Sequence, residues 1–264
     1  MIAATPITWH VIWSRITDPD SVFAHALWAT VYISVVAQIL GIMLGLVAAL
    51  MRMASFRPLR FLSGLYVLIF RGTPVLVQIM FFWLVLPLPN VINFGVFDMR
   101  SEFVAGILAL GINEGAYMRE IFRAGIDSID RGQMEAARSL GMRYGLAMRR
   151  IVLPQAARVI VPPLGNEFNN MMKTSSLVYI IGVYELFSDA EQGYSHAIDA
   201  GYFVAVAFWY LVLTSIWSFI QALIERKLAV SEHGDEISLR EKAVAIWTEG
   251  GGMVRAAWPW RARA

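Results

Sequence analysis

The segment from His25 to Met51 contains no Asp, Glu, Lys or Arg, and this uninterrupted run limits the fold more than any other feature. A helix needs about 20 apolar residues to cross the hydrocarbon core of a bilayer. The whole chain agrees with that requirement, because 58% of its 264 residues are hydrophobic and only 16% are charged. Soluble domains carry about 25% charged residues. We therefore predict an all-α membrane protein.

Four further apolar stretches follow the first, so the sequence predicts about five transmembrane helices. Their approximate bounds are residues 59–87, 101–122, 154–184 and 202–224. The second stretch is interrupted by Arg71, Gly72, Thr73 and Pro74. Proline removes a backbone donor and disfavours helix at the preceding residue. We expect a kink or a broken helix at these four residues.

The loops between these stretches differ in charge. The loop after the first span contains three arginines and no acid, and the segment between the third and fourth spans is also rich in arginine. By contrast, the loop between the fourth and fifth spans has four acids and no lysine or arginine. The positive-inside rule then places the N-terminus outside and the C-terminus in the cytoplasm. We divide the chain into a periplasmic arm (1–24), a transmembrane domain (25–228) and a cytoplasmic tail (229–264).

The segment at about 127–154, between the third and fourth predicted spans, is long for a loop. Residues 133–140 favour a short helix with Asp130 as its N-terminal cap, and Gly141 favours a left-handed end. Residues 142–152 can form a second helix before the next span begins. Two interpretations fit this pattern: an interfacial helix without a partner, or a docking surface for another protein.

One pattern of residues occupies fixed positions in this segment: Glu135-Ala136-Ala137, then Gly141, then Ile151 and Leu153-Pro154. It resembles the EAA loop of the permease subunits of binding-protein-dependent ABC importers. Other motifs resemble the polar amino-acid branch of these importers, whose substrates include histidine, glutamine, glutamate, arginine and opines. They are Phe70-Arg71-Gly72-Thr73-Pro74, Gly115-Ala116-Tyr117, Ile129 with Gly132-Gln133, Pro162-Pro163-Leu164-Gly165-Asn166, and Ser176-Leu177 before Ile181-Gly182-Val183.

The resemblance covers about Ser21 to Lys227 and implies a type I ABC importer permease in the bacterial inner membrane. Such a subunit moves polar amino acids or related compounds, opines among them, from periplasm to cytoplasm. The implied partners are a second permease subunit, identical or paralogous, two cytoplasmic ATPases and a periplasmic substrate-binding protein. In the family the EAA loop is the coupling helix that docks on the ATPase. The expected coupling residues are Glu135, Ala136, Ala137 and Gly141.

The sequence also excludes several kinds of chemistry. It has no G-x-x-x-x-G-K-[ST] motif, so it cannot hold ATP in a P-loop. We expect a non-catalytic subunit without a cofactor, and ATP and Mg bound by the partner ATPases. Cysteine is absent and the four histidines are scattered, so no metal site is expected. The net charge of +2 is too small to indicate nucleic-acid binding.

Two other classes of function fit an apolar chain of this length. A membrane enzyme or assembly factor would need a nucleophile, a metal cluster or paired carboxylates, and the sequence indicates none of these. A secondary transporter or channel subunit, not driven by an ATPase, is the main alternative. The lack of an internal repeat argues against a secondary transporter. The coupling-loop pattern argues against both a secondary transporter and a channel.

Polar and charged residues lie well inside the predicted third and fourth spans. Charges at the bilayer centre cost about 2.5–3.5 kcal/mol on insertion scales, so such residues usually face protein or water. Pairing of Arg71 with Glu114 is the purely structural interpretation. A zwitterionic amino acid needs an anion and a hydrogen-bond donor, so an aqueous path and a subunit interface both stay open. The candidates for the substrate pathway are Asn113, Glu114, Asn166, Glu167, Asn170 and Lys173.

Overall fold

The computed structural model describes residues 6–93 and 98–229, and these residues are mostly helical. The α-helices are α1 (Trp9–Thr17), α2 (Ser21–Met53), α3 (Arg57–Gly72), α4 (Val75–Val85), α5 (Ser101–Asp127), α6 (Arg131–Ser139), α7 (Tyr144–Ala147), α8 (Leu153–Thr174), α9 (Leu186–Ala197) and α10 (Gly201–Ala229). A π-helical turn (Met148–Val152) joins α7 to α8, and a 3-10 helix (Ser175–Ile181) follows α8.

The one departure from the all-α prediction within the described residues is a short hairpin between α4 and α5. Its strands are β1 (Val91–Asn93) and β2 (Asp98–Arg100). They pair antiparallel, with Val91 opposite Arg100. The hairpin therefore returns the chain from the end of α4 to the start of α5.

Two of the described helices are long and apolar enough to cross a membrane, namely α2 and residues 201–228 of α10. Helices α3 and α4 pass the same test only together, and they are bent by 105° at their junction. The predicted third and fourth spans are the helices α5, of 27 residues, and α8, of 22 residues. Both are long enough to cross about 30 Å of hydrocarbon at 1.5 Å per residue, but both carry several charges. The count of five spans stays a prediction.

The predicted helix break is confirmed between α3 and α4. Helix α3 ends at Gly72, Thr73 and Pro74 have extended backbone, and α4 begins at Val75. Pro74 has no N–H to continue the ladder of α3, and it disfavours helical dihedrals at Thr73. The proline therefore fixes where the bend occurs.

Helices α2 and α5 pack closely because glycine occupies their contact points. A Cβ atom added to Gly41 would lie 2.6 Å from Cγ of Glu114, and one on Gly111 would lie 2.7 Å from Cδ2 of Leu40. A Cβ on Gly45 would collide with Met118. Small residues at such positions let the backbones of membrane helices approach closely.

The acidic loop after the predicted fourth span folds into α9, a helix that the sequence analysis did not predict. Glu185 is fully buried and caps this helix, because its carboxylate accepts hydrogen bonds from the N–H groups of Phe187 and Ser188 at 2.9 Å. The same carboxylate accepts from the hydroxyl groups of Tyr210 at 2.9 Å and Thr30 at 3.4 Å. Glu185 therefore joins α2, α9 and α10.

Helix α1 is attached to the start of α10 by a second carboxylate. Oδ1 of Asp199 accepts hydrogen bonds from the N–H groups of Thr8 at 3.1 Å and Gly201 at 2.7 Å. A hydrogen bond from the side chain of Thr8, together with these two N–H groups, lowers the pKa of Asp199 below its ordinary value. Trp209 adds a hydrogen bond from Nε1 to the carbonyl of Arg15 at 3.1 Å.

Residues 223–264 form a second unit, of which the structure describes only 223–229, the end of α10. The rest of the predicted cytoplasmic tail lies outside the described residues. Helix α2 begins at Ser21, inside the predicted arm of residues 1–24, and the division of the chain into three parts stays a prediction.

Candidate functional site

The segment with the EAA-like pattern contains the short helix that the sequence predicted. The side chain of Asp130 caps α6 by accepting from the N–H of Gly132 at 2.6 Å. Gly141 follows the end of α6 with a φ of 80°. The N–H of Gly141 donates to the carbonyl of Arg138, and that of Met142 donates to the carbonyl of Ala137. This pair of bonds is a Schellman motif, which satisfies the last carbonyls of a helix.

The second helix of the segment differs from the prediction for residues 142–152. Arg143 has extended backbone, so α7 begins at Tyr144. The next turn is π-helical and runs without interruption into α8. Pro154 lies in the first turn of α8 and has no N–H to donate to a carbonyl four residues back, which favours an irregular turn before it.

The predicted coupling residues do not all face outward. Glu135, Ala136 and Gly141 are exposed, but Ala137 is only 2% exposed. The small side chain of Ala137 therefore serves packing within the chain. The structure adds one residue to this surface that the pattern did not single out, because Leu140 is 84% exposed at the end of α6.

A second feature is a cavity of about 330 Å³ between α5 and α8. It contains five of the six predicted pathway residues. Its lining comprises Val75, Leu110, Asn113, Glu114, Tyr117, Glu167, Asn170, Met171, Lys173 and Thr174. The sequence analysis did not single out Tyr117 or Thr174 as pathway residues.

Asn166 is the pathway candidate that does not line this cavity. Its Oδ1 atom accepts a hydrogen bond from Nε2 of Gln221 at 3.3 Å, so it faces α10. Of the three polar candidates at positions 166, 170 and 173, Asn170 and Lys173 line the cavity and Asn166 does not. Helical periodicity brings Glu167 and Thr174 to the same side of α8 as Asn170.

The cavity holds two acids and one base. Glu114 is buried and accepts a hydrogen bond from Nε2 of Gln38 at 3.3 Å, and its carboxylate is close enough to Glu167 for their charges to interact. Among residues 6–93 and 98–229, neither of these acids nor Lys173 forms an ion pair. The cavity therefore combines unpaired charges with space for a polar ligand.

Arg71 does not pair with Glu114 as the structural interpretation suggested. Its guanidinium lies 4.9 Å from the centre of the Tyr117 ring, a cation–π contact at the cavity wall. This contact places the positive charge against an aromatic face and leaves Glu114 without a cationic partner.

Side-chain amides hold the helix break beside the cavity. Nε2 of Gln78 donates to the carbonyl of Phe70 at 2.9 Å and to that of Thr73 at 3.1 Å. Nδ2 of Asn113 also donates to the Phe70 carbonyl, at 2.8 Å. Irregular backbone at membrane depth needs such internal partners, because lipid offers none.

Within the described residues, no group of three or more metal-ligating side chains occurs. The combination of apolar helices, a broken helix at membrane depth and a polar cavity between two long helices defines a membrane transport protein.

The comparisons identify the family within that class. The chain belongs to the binding-protein-dependent transport system inner membrane components, whose family pattern matches residues 41–230. It is 37% identical to the arginine transport system permease protein ArgU of Corynebacterium glutamicum, over 89% of this chain and 76% of that protein. It is 35% identical to the L-cystine transport system permease protein TcyB of Bacillus subtilis, over 78% of this chain and 86% of that protein.

Solved structures show the same fold. This chain is 37% identical in sequence to a chain in the crystal structure of an amino acid ABC transporter with histidines. The two chains align with a TM-score of 0.70, over 78% of this chain and 94% of that chain. An inward-facing MetNI methionine ABC transporter shares the fold at 17% identity and a TM-score of 0.66, covering 84% of this chain and 99% of that chain. The protein is the permease subunit of an amino-acid ABC importer with the type I fold.

Proposed function

We propose that this subunit carries a polar amino acid from the periplasm to the cytoplasm through the cavity between α5 and α8. Two cytoplasmic ATPases drive the movement, a periplasmic protein delivers the substrate, and a second permease subunit completes the path. Family membership supports this assembly and disfavours the secondary transporter or channel alternative.

We also propose that α2, the α3–α4 pair, α5, α8 and α10 are the five spans. The distribution of charge supports an outer N-terminus and an inner C-terminus. Basic residues occur in the last turns of α2 and α10 and throughout the α6–α7 segment, whereas acids dominate the segment of α9. Arginine-rich ends face the cytoplasm under the positive-inside rule.

The charges of the cavity favour a cationic amino acid. Glu114 and Glu167 supply two negative groups and Lys173 supplies one positive group. An amino acid with a basic side chain carries the complementary set, namely two cations and one carboxylate. A cation between two neighbouring carboxylates also relieves their mutual repulsion. This matching of charges is the observation that carries the substrate class.

The test is uptake of labelled arginine and labelled glutamine by the complete importer in liposomes. Glu167→Gln keeps the size of the side chain and removes its charge. Loss of one charge-assisted hydrogen bond is worth about 1.5–3 kcal/mol, so we expect arginine uptake at limiting substrate to fall by about tenfold or more. Glutamine uptake should change far less, because glutamine lacks the second cation.

Glu191→Gln is the matched control, because Glu191 lies on α9 and does not line the cavity. It should leave both uptake rates unchanged. Normal arginine uptake by an assembled Glu167→Gln importer would contradict the proposed role of the cavity. An equal loss for arginine and glutamine would contradict the cationic substrate class alone.

We propose further that the exposed side of α6 contacts the ATPase. Glu135, Ala136 and Gly141 belong to the EAA-like pattern and are all exposed, and Leu140 adds a large apolar side chain beside them. An exposed leucine on a basic, polar segment is typical of a residue that becomes buried against a partner.

A further inference from the structure

A cavity distinct from the α5–α8 cavity lies where α2 ends, α3 begins and α5 ends. Its volume is about 350 Å³, and its lining comprises Arg52, Met53, Arg60, Arg123 and Asp127. Three of these five residues are arginines. The proposed amino-acid path uses none of them, so the cavity calls for an explanation of its own.

The acid of this cavity is already paired. Arg123 donates to Asp127 at 2.7 Å and to Glu120 at 3.1 Å. Arg52 and Arg60 form no ion pair with any residue in the described ranges 6–93 and 98–229. Two guanidinium groups therefore face one cavity without a counter-charge, which favours binding of an anion.

The number and geometry of the donors suit a phosphate. A guanidinium presents five N–H donors in a planar fork that matches two oxygens of a phosphate or carboxylate. Two such groups can surround the two unesterified oxygens of a phosphodiester. The volume corresponds to about twelve water molecules at about 30 Å³ each, so a headgroup phosphate with its glycerol has room.

The surroundings indicate that this phosphate belongs to a lipid. Met53, at the rim, has an exposed apolar side chain. Phe56 and Phe61, which flank Arg57 and Arg60 in the sequence, are 61% and 72% exposed. Free phosphate needs no such apolar flank, but acyl chains do. Basic residues at the end of a span also lie at the depth of the headgroups.

We propose that Arg52 and Arg60 bind the phosphate of an anionic phospholipid at the membrane surface where α2 ends. The bound lipid neutralises the two arginines and packs its acyl chains against the apolar side chains beside them. This site is independent of the amino-acid path, and it predicts that the importer retains anionic lipid through purification.

The experiment measures lipid retained by the purified full-length chain, using native mass spectrometry with added phosphatidylglycerol or phosphatidylcholine. Arg52→Gln/Arg60→Gln removes both free cations, and Arg60→Gln removes one. Arg57→Gln is the matched control. It removes the same charge from the first turns of α3, but Arg57 does not line the cavity. Thermal unfolding of each variant shows that it is folded.

We expect wild type and Arg57→Gln to retain phosphatidylglycerol in preference to phosphatidylcholine. Arg60→Gln should weaken that retention by about tenfold, and the double variant should weaken it further. Arg60→Lys, which keeps the charge but loses the fork, should be intermediate. Equal retention by all folded variants would overturn the proposal.

Two further measurements distinguish a lipid phosphate from free phosphate and from a protein partner. Displacement of phosphatidylglycerol by millimolar inorganic phosphate would assign the site to free phosphate and overturn the lipid. If the partner ATPase displaces the lipid from wild type and binds the double variant more weakly, the arginines form a protein interface instead. Retention of the lipid in both measurements supports the proposal.

Discussion

The side-chain amide of Asn113 donates a hydrogen bond to the main-chain carbonyl of Phe70, 2.8 Å away, and so ties the middle of α5 to the bend between α3 and α4. Asn113 also donates to Oε1 of Gln78 at 3.0 Å. The residue predicted as part of the substrate path thus has a structural role, because it satisfies backbone that the bend releases from helical bonding.

Asn113→Leu tests this role, because leucine has a similar size but no donor. Leaving buried polar groups unsatisfied costs about 1–3 kcal/mol each, so we expect the free energy of unfolding to fall by at least that amount. Unfolding of the purified chain in mixed micelles, followed by circular dichroism, measures it. Asn170→Leu is the control, since Asn170 lines the cavity but is exposed. Equal stability of the two variants would contradict the structural role.

Gly45 and Gly64 provide a matched pair for the contact of α2 with α5. A Cβ on Gly45 would collide with Met118 and lie 2.9 Å from the N–H nitrogen of Arg119, whereas a Cβ on Gly64 has no neighbour within 4 Å. Overpacking costs about 1–3 kcal/mol, so Gly45→Ala should lower the thermal midpoint. Gly64→Ala should leave it unchanged or raise it, because alanine favours helix over glycine by about 1 kcal/mol. A tolerated Gly45→Ala would show that the two helices can separate.

The two adjacent alanines of α6 should respond differently to tryptophan. Ala136 is exposed and Ala137 is buried. Ala136→Trp should give a folded, inserted chain that supports less than a tenth of wild-type transport, on the order expected for a lost interface contact. Ala137→Trp should instead lower the yield of folded chain. Transport, ATP hydrolysis and thermal midpoint, measured on the same preparations, distinguish these effects. Normal transport by Ala136→Trp would remove α6 from the coupling surface.

The left-handed end of α6 predicts a specific sensitivity to branched side chains. Gly141 has a φ of 80°, which a β-branched residue resists at a cost of about 1–3 kcal/mol. Gly141→Val should therefore distort the α6–α7 segment and reduce transport without affecting membrane insertion. Gly145→Val is the control, because Gly145 lies in α7 without a positive φ and with open space around it. The comparison uses uptake per inserted chain, and equal uptake would show that this turn carries no coupling.

The attachment of α1 should weaken in acid. Hydrogen bonds from the side chain of Thr8, the largest contribution, and from the N–H groups of Gly201 and Thr8 lower the pKa of Asp199, so the carboxylate stabilises the contact above its unfolded pKa of 3.8. That contribution is lost as pH falls through the lower pKa of the folded protein. The chain has no cysteine, so a spin label on His10→Cys reports α1 alone. Its mobility should rise below about pH 4, and Asp199→Asn should remove the pH dependence. Unchanged mobility in wild type down to pH 2 would contradict this prediction.

Local sequence signals predicted the local geometry well. Pro74 located the bend, and Asp130 and Gly141 located the ends of α6, because capping and backbone restriction act within a few residues. The burial of Ala137 could not be predicted from its pattern, since neighbouring residues on a helix point about 100° apart and only the tertiary packing decides which one turns inward.

Long-range contacts explain the other differences. Asn166 was a candidate for the substrate pathway, but Gln221 of α10 supplies the hydrogen-bond partner on the side away from the cavity. The sequence analysis did not predict helix α9, because nothing in the local sequence distinguishes its cap, Glu185, from the other acids of the loop. Its bonds to Thr30 and Tyr210 cross 155 and 25 positions of the chain, which no local pattern contains.

The glycine contacts of α2 with α5 have a mechanical consequence. Gly41, Gly45 and Gly111 leave no room for even a methyl group, so we expect these two tightly packed helices to move together. We therefore expect a change in the width of the cavity to come from movement of its opposite wall, α8. That wall is continuous with the π-helical turn and α7. Because α6 connects to α5 through residues 128–130 and to α8 through α7, we expect a displacement of α6 to shift α8 relative to the α2–α5 pair.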